Sequence, residues 1–230
     1  LIEIQMIDNS TKDKLENETP HFGNTLLGAV PSEVFNEDCI QVMKRYPDKF
    51  FDLAVVDPPY GLGDKLTQGG TWASKYAKGD ASWDIAPPAE YWEQLFRVSK
   101  NQIVWGGNYF GLPSNRCFII WDKVAHMDTL ADCEYAWTSF DRNAKIFKHV
   151  RNTSETRIHI CQKPIKLYEW IFKNFAVEGN LILDTHLGSG SSRIAANKAG
   201  LHFVGCEISP AYFEAQEQRF KEFISQLRMF

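Results

Sequence analysis

Several features are scarce in this chain. Only five of its 230 residues are cysteine, and Cys39, Cys117, Cys133, Cys161 and Cys206 are scattered along it. No C-x-x-C pair occurs, which removes both zinc-ligand spacing and a dithiol redox motif, so no metal is expected. Three of the thiols stand in apolar stretches, where free cysteine is a small core residue, and this predicts a reducing, cytoplasmic setting. No apolar run approaches the roughly 20 residues of a membrane span. The polar, acidic N-terminus lacks the basic-then-apolar order of a signal peptide. An excess of positive charge is also missing. Lys and Arg total 25 against 29 Asp and Glu, for a net charge of −4. Taken alone, that balance counts weakly against a nucleic-acid surface.

Aromatic and apolar residues are abundant. Hydrophobic residues make up 44% of the chain and aromatic ones 13%, with seven tryptophans and eight tyrosines. That suffices for one α/β domain with a sizeable core. The basic residues are also segregated. Arg142, Lys145, Lys148, Arg151, Arg157, Lys163 and Lys166 follow one another with Glu155 as the only acidic residue between them. Such a run is usually a solvated face, but segregated charge is also how an acidic protein meets a polyanion.

Residues 1–32 read as a polar tail and 33–230 as the folded domain. Short strands are expected at 33–35, 51–56, 102–105, 117–121, 134–138, 181–183 and 201–206. Helices are expected at 38–47, 89–98, 164–175, 191–199 and 209–226. Residues 61–82 hold five glycines and little periodicity, which predicts a long mobile loop. The basic stretch 141–158 shows no strong period. The alternation of strands and helices predicts an α/β, Rossmann-like, doubly wound, mostly parallel sheet of seven strands, with one antiparallel member in the pair near 117–138.

Two turns follow apolar strands, and ligands in such sheets bind at the carboxyl ends of strands. The first is Asp57-Pro58-Pro59-Tyr60 after Phe-Asp-Leu-Ala-Val-Val. An exocyclic amine on a nucleobase is a poor nucleophile because its lone pair is delocalised into the ring. The Asp57 carboxylate and the Pro58 carbonyl are two acceptors able to draw that nitrogen toward tetrahedral geometry. Pro58 and Pro59 stiffen the turn, and Tyr60 offers a ring on which a flipped base could stack. The second turn is Asp184-Thr185-His186-Leu187-Gly188-Ser189-Gly190, with Glu207 closing the next strand. Its glycines permit close backbone approach, and an acid at that strand end suits ribose hydroxyls. The unit fits a dinucleotide or S-adenosylmethionine, although G-x-G-x-x-G is absent.

Together these motifs resemble the amino-methyltransferases of DNA, in their permuted beta group. The order is that group's: Asp38-Cys39, then FDLAVVDPPY, Trp121-Asp122-Lys123, Gln162-Lys163-Pro164, LILDTHLGSGSS and FVGCEISPAYFEAQEQRF. The likeness spans about 33–225. It implies a circularly permuted methyltransferase fold that uses S-adenosylmethionine, with the N-terminal strand paired beside the C-terminal βαβ unit. It also implies transfer of a methyl group to N6 of adenine in a flipped-out base, with N4 of cytosine as the alternative. Asp38 and Cys39 would then face the cofactor's adenine, and Glu207 its ribose. Asp184, Gly188, Ser189 and Gly190 would hold its methionine part, with Lys163 a further candidate for the carboxylate. His186 stands where an aromatic residue is usual. Asp57, Pro58, Pro59 and Tyr60 would hold the target base.

Only about 40 residues separate the Trp121 strand from the QKP helix, a short target-recognition segment for this group. Residues 139–160 must serve, together with the loop 61–82, Trp72 and Trp83, and with Lys145, Lys148, Arg151 and Arg157 on DNA phosphates. The implied partner is double-stranded DNA; a homodimer and a cognate restriction endonuclease stay open. A cytosine-C5 enzyme would attack through a cysteine, commonly in a Pro-Cys turn, and none occurs. An NAD-dependent oxidoreductase would leave the DPPY turn unexplained. RNA is a less favoured substrate for the same chemistry.

Overall fold

The computed structural model describes residues 31–63, 84–124, 131–150, 155–159 and 161–227. Most of the glycine-rich stretch 61–82, including Trp72, therefore lies outside the described residues, as do Trp83 and Arg151.

Eight strands form one sheet: β1 (Ser32–Phe35), β2 (Phe51–Val56), β3 (Ser99–Trp105), β4 (Phe118–Asp122), β5 (Cys133–Thr138), β6 (Lys145–Lys148), β7 (Leu181–Asp184) and β8 (His202–Cys206). Their order is β1-β8-β7-β2-β3-β5-β4-β6. The helices are α1 (Cys39–Met43), α2 (Ala89–Val98), α3 (Ile165–Phe175), α4 (Ser191–Lys198) and α5 (Pro210–Leu227). β5 alone runs antiparallel to its neighbours β3 and β4, as expected for the 117–138 pair. β1 pairs in parallel with β8, so the N-terminal strand lies beside the C-terminal βαβ unit, also as expected.

The sheet has eight strands rather than the seven expected. The extra one is β6, which pairs in parallel with β4 at the sheet's edge. Its sequence, Lys-Ile-Phe-Lys, sends only Phe147 into the core, while Ile146 is 61% exposed. One inward apolar residue is too little alternation to announce a strand.

β2 explains the layering. Its side chains alternate, so Leu53 and Val55 pack under α3 and α4 with Ile171, Phe172, Ala195 and Ala196. Ala54 and Val56 face the other way, against α1 and α2 with Met43, Tyr91 and Leu95. Both faces of the strand are thus covered, as a central parallel strand requires. Each fully buried Leu, Ile or Val contributes roughly 1.5–3 kcal/mol. β2 and β7 are neighbours, yet their chain connections lead to opposite sides of the sheet. That is the switch point, where a crevice opens beyond the strand ends.

Among the described residues, no helix is long and apolar enough to cross a membrane.

Candidate active site

Four adjacent parallel strands, β1, β8, β7 and β2, end at one rim. Their register brings Phe35 beside Cys206, Gly205 beside Asp184, and Leu183 beside Ala54. The residues that follow are therefore set side by side: Asp38 and Cys39 after β1, Glu207 after β8, Asp184 closing β7, and Asp57 after β2. The sequence holds these acids far apart; strand pairing brings them together.

The glycine turn after β7 is built from its own acids. Asp184, 2% exposed, accepts from the His186 amide at 3.1 Å and the Ser192 hydroxyl at 2.6 Å. Burial nevertheless pushes its carboxyl up to about 7. Glu207 accepts from the Gly188 amide at 2.8 Å and the Ser209 amide at 2.9 Å, and burial raises it too. Gly188 and Gly190 have φ of +52° and +71°, the left-handed region that other residues rarely adopt. Asp38 caps α1 by accepting from the Ile40 and Gln41 amides at 2.9 and 3.1 Å. The neighbouring Cys39 thiol is pushed up to about 12, first by burial and then by Asp38, so it is no thiolate nucleophile. This set of carboxylates on a bare backbone turn suits a ligand carrying hydroxyls, an ammonium and a positive charge.

His186 hydrogen-bonds Thr185 through Nδ1 at 2.9 Å and packs edge-on against Tyr91, 5.4 Å between centroids. The Tyr91 hydroxyl lies 2.7 Å from Thr185 Oγ1. Burial lowers His186 to about 4, so it stands as a neutral ring. His159, lowered to about 4 by burial and then by Lys163, packs on Tyr212 with centroids 4.3 Å apart and lies over Gly188.

At the other turn, the Tyr60 hydroxyl donates to Asp57 Oδ1 at 2.8 Å. Lys163 binds the other oxygen, Oδ2. Burial, then the nearby Asp57, raises the Tyr60 phenol, which keeps it a donor. The Tyr60 ring stacks on Tyr109, 5.0 Å between centroids at 22°, and meets Phe110 edge-on. Tyr109 is 49% exposed, at the mouth of this aromatic stack.

Lys163 was expected near the methionine end of the cofactor. Its ammonium bonds Asp57 and lies 3.3 Å from Glu134, which also pairs with Lys123 at 3.0 Å. Glu134 and Lys123 were missed as site residues. Their signal was present: Lys123 closes the Trp121-Asp122-Lys123 motif, and Glu134 is the one charge in its strand. Tyr91, Tyr109 and His159 were missed because aromatic residues in such a chain are mostly packing.

The basic run divides. Arg142 donates to the Asn174 carbonyl at 2.8 Å and lies 3.8 Å over the Phe175 ring, so it is packed onto α3. Lys163 is buried in the site. Lys145 and Lys148 lie on β6, and Lys148 is largely exposed, with Asp122 at 3.8 Å. β6 runs in the same direction as β2, so Lys148 sits at the crevice end of the sheet, four strand spacings or about 19 Å away. Arg157 is among the described residues. No group of three His, Cys, Asp or Glu that could hold a metal ion occurs among them.

A mostly parallel sheet with an acid-lined turn beside an Asp-Pro-Pro-Tyr turn defines an α/β enzyme of the methyltransferase class. Residues 89–218 match the N6/N4 DNA methylases, and the chain belongs to that family. It is 26% identical over 211 residues to the putative methylase YubD of Escherichia coli, covering 82% of this chain and 89% of that one. It is 24% identical to the type II methyltransferase M.ScaI of Streptomyces caespitosus, covering 79% and 78%. Among solved structures, the M1.HpyAVI–SAM complex superposes with a TM-score of 0.55 at 18% identity, covering 82% of this chain and 98% of that one. The cytosine-N4-specific PvuII DNA methyltransferase superposes with a TM-score of 0.59 at 14% identity, covering 81% and 85%. At these identities the superpositions speak for the fold.

Proposed function

We propose that this DNA methylase transfers a methyl group from S-adenosylmethionine to the N6 amine of adenine in double-stranded DNA, with the base turned out of the helix. The observation that carries the reading is the Asp57–Tyr60 turn standing one strand away from the acid-lined glycine turn. Asp184, Ser189 and the Gly188 and Gly190 backbone would hold the methionine part of the cofactor. Glu207 would take the ribose, with Asp38 and Cys39 at the adenine. Bound there, the cofactor supplies an electrophilic methyl group on a sulfonium. Asp57 would accept a hydrogen bond from the amine as positive charge develops on nitrogen, and the Pro58 carbonyl would take the second amine hydrogen. Pro59 keeps the turn stiff, and Tyr60 would stack on the base in place of the half-exposed Tyr109. The amine would take the methyl group as the S–C bond breaks, and its surplus proton would leave to solvent.

The choice of adenine rests on Asp at the first position of the tetrapeptide, the commoner residue in adenine-specific relatives of this group. The type II name of M.ScaI supports a restriction-modification setting. Mass spectrometry of nucleosides from DNA treated with the protein tests the assignment. N6-methyladenine is the expected product, and N4-methylcytosine without it would overturn the choice. Asp57→Ala should keep its fold and cofactor affinity while losing on the order of a hundredfold to a thousandfold in single-turnover rate.

A further inference from the structure

Four charged side chains from separate elements form one row at the Asp57 turn, its two lysines buried and its two acids partly so. Asp57 follows β2, Lys163 precedes α3, Glu134 lies on β5, and Lys123 follows β4. The antiparallel pairing of β4 and β5, with Trp121 beside Glu134, brings Lys123 and Glu134 together. The row reads Asp57, Lys163, Glu134, Lys123, with signs alternating and no net charge. Lys163 and Lys123 are 5% and 6% exposed. Lys163 also lies 5.1 Å over the Trp105 ring. Burial works against the Lys163 charge, but Asp57 and Glu134 outweigh it and hold the ammonium protonated.

The two oxygens of Asp57 have different donors, the Tyr60 hydroxyl on Oδ1 and the Lys163 ammonium on Oδ2. The terminal torsion of an aspartate is broad and roughly two-fold, so an unsupported carboxylate samples many orientations. Donors on both oxygens remove that freedom while leaving each oxygen a further lone pair. A group that must meet the amine in one geometry gains from being set before the base arrives.

We propose that Lys163 is a positioning residue that orients the Asp57 carboxylate for methyl transfer, itself anchored by Glu134 and Lys123, and that it is not a contact to the cofactor's carboxylate. This rests on the reading of Asp57 as the amine's acceptor. It assigns Glu134 a role of its own. Without Glu134, the Lys163 ammonium loses one of its two anchors and Asp57 is held less firmly.

Lys163→Met, Glu134→Gln, Asp57→Asn and the Lys163→Met/Asp57→Asn double variant separate the possibilities. S-adenosylhomocysteine affinity is read by calorimetry, and methylation by single turnover at saturating DNA and cofactor. Lys163→Met should leave affinity within about threefold and lower the rate by about thirtyfold or more. In the Asp57→Asn background the same change should cost less than about threefold, because the group it acts through is already gone. Glu134→Gln should give a smaller rate loss, again without loss of affinity. Should Lys163→Met not fold, Glu134→Gln carries the test, and a parent-like rate in it rejects the row.

Full additivity of Lys163→Met and Asp57→Asn would overturn the proposal. A tenfold loss of cofactor affinity in Lys163→Met with an unchanged saturated rate would overturn it in favour of a cofactor contact. A crystal structure of Lys163→Met with the Asp57 carboxylate unmoved would also reject it, without reference to activity. If the parent makes N4-methylcytosine, the choice of base fails and the cycle still decides Lys163. If Asp57→Asn keeps parental activity, the role of Asp57 fails first.

Discussion

Gly106 lies against the face of the Tyr60 ring. A Cβ built on it would overlap Cε1 and stand 2.6 and 2.7 Å from Cζ and Cδ1. Off the ring's edge, the two flanking carbons would fall much farther away than the central one. Gly106 also has φ of +64°, so any side chain there is strained twice over. Gly106→Ala is expected to destabilise the protein by roughly 1–3 kcal/mol and to displace Tyr60 from its bond to Asp57. Thermal denaturation and single-turnover methylation check this. A variant as stable and as fast as the parent would mean that Tyr60 has room to spare.

His186 gives a prediction about pH. Burial lowers its folded value to about 4 from an ordinary 6.5, with Asp38 pulling weakly the other way. The unfolded chain therefore takes up a proton below 6.5 that the folded chain refuses until about 4. The stability that neutral His186 contributes is intact above 6.5 and is lost as pH falls toward 4. Phe cannot titrate, so His186→Phe should gain on the parent across that window, by at most about 1.4 kcal/mol per pH unit. At pH 8 the variant should be slightly weaker, having lost the 2.9 Å bond to Thr185. His159 and Asp184 titrate in parent and variant alike and drop out of the difference. Melting temperatures from pH 8 to 5 read it directly. A gap that does not change with pH would show that His186 does not titrate as a buried ring.

Much of this site was legible because its chemistry is local. Asp57-Pro58-Pro59-Tyr60 and Asp184–Gly190 are contiguous turns, each announced by the apolar strand before it. The pairing of β1 with β8 also followed from motif order and proved right. What stayed hidden depends on partners distant in sequence. Lys163 reaches Asp57 across 106 residues, and Glu134 gives no sign of the lysines it serves. Tyr109 gains meaning only from its stack on Tyr60. β6 escaped because its edge position asks for one buried side chain, so the basic run read as structureless.

That run supplies the next prediction. Lys145 and Lys148 sit on β6 at the sheet's edge, and the exposed pairing of Lys148 with Asp122 at 3.8 Å is too weak to hold it from a phosphate. Replacing both by Ala should lower the log–log salt dependence of DNA binding by roughly one unit for each lost contact. Cofactor affinity should not change. Arg142→Ala should behave differently, costing stability through its packing on Phe175 and not altering the salt slope. An unaltered slope in the double lysine variant would return β6 to a plain solvated edge.

Glu207 separates cofactor binding from DNA binding. It stands where β8 ends and accepts from Gly188 in the turn and Ser209 beyond it. Each oxygen keeps a lone pair for a ribose hydroxyl, and such charge-assisted bonds contribute roughly 1.5–3 kcal/mol. Glu207→Ala should therefore weaken S-adenosylhomocysteine by about tenfold to a hundredfold. Affinity for DNA without cofactor should stay near the parent's, because β8 lies two strands from β2 on the side away from β6. The variant also strips the Gly188 amide of its acceptor, so loss of fold must be set apart from loss of contact. Glu207→Gln does this, since its amide oxygen can still accept from Gly188 while the negative charge is gone. Gln has one acceptor where Glu207 has two, so its NH2 meets the Ser209 amide; if the charge meets the ligand, Gln should recover part of the stability and less of the affinity. Should Gln restore affinity in full, Glu207 acts by shaping the turn. Should Ala bind the cofactor as the parent does, the ligand lies elsewhere along the rim.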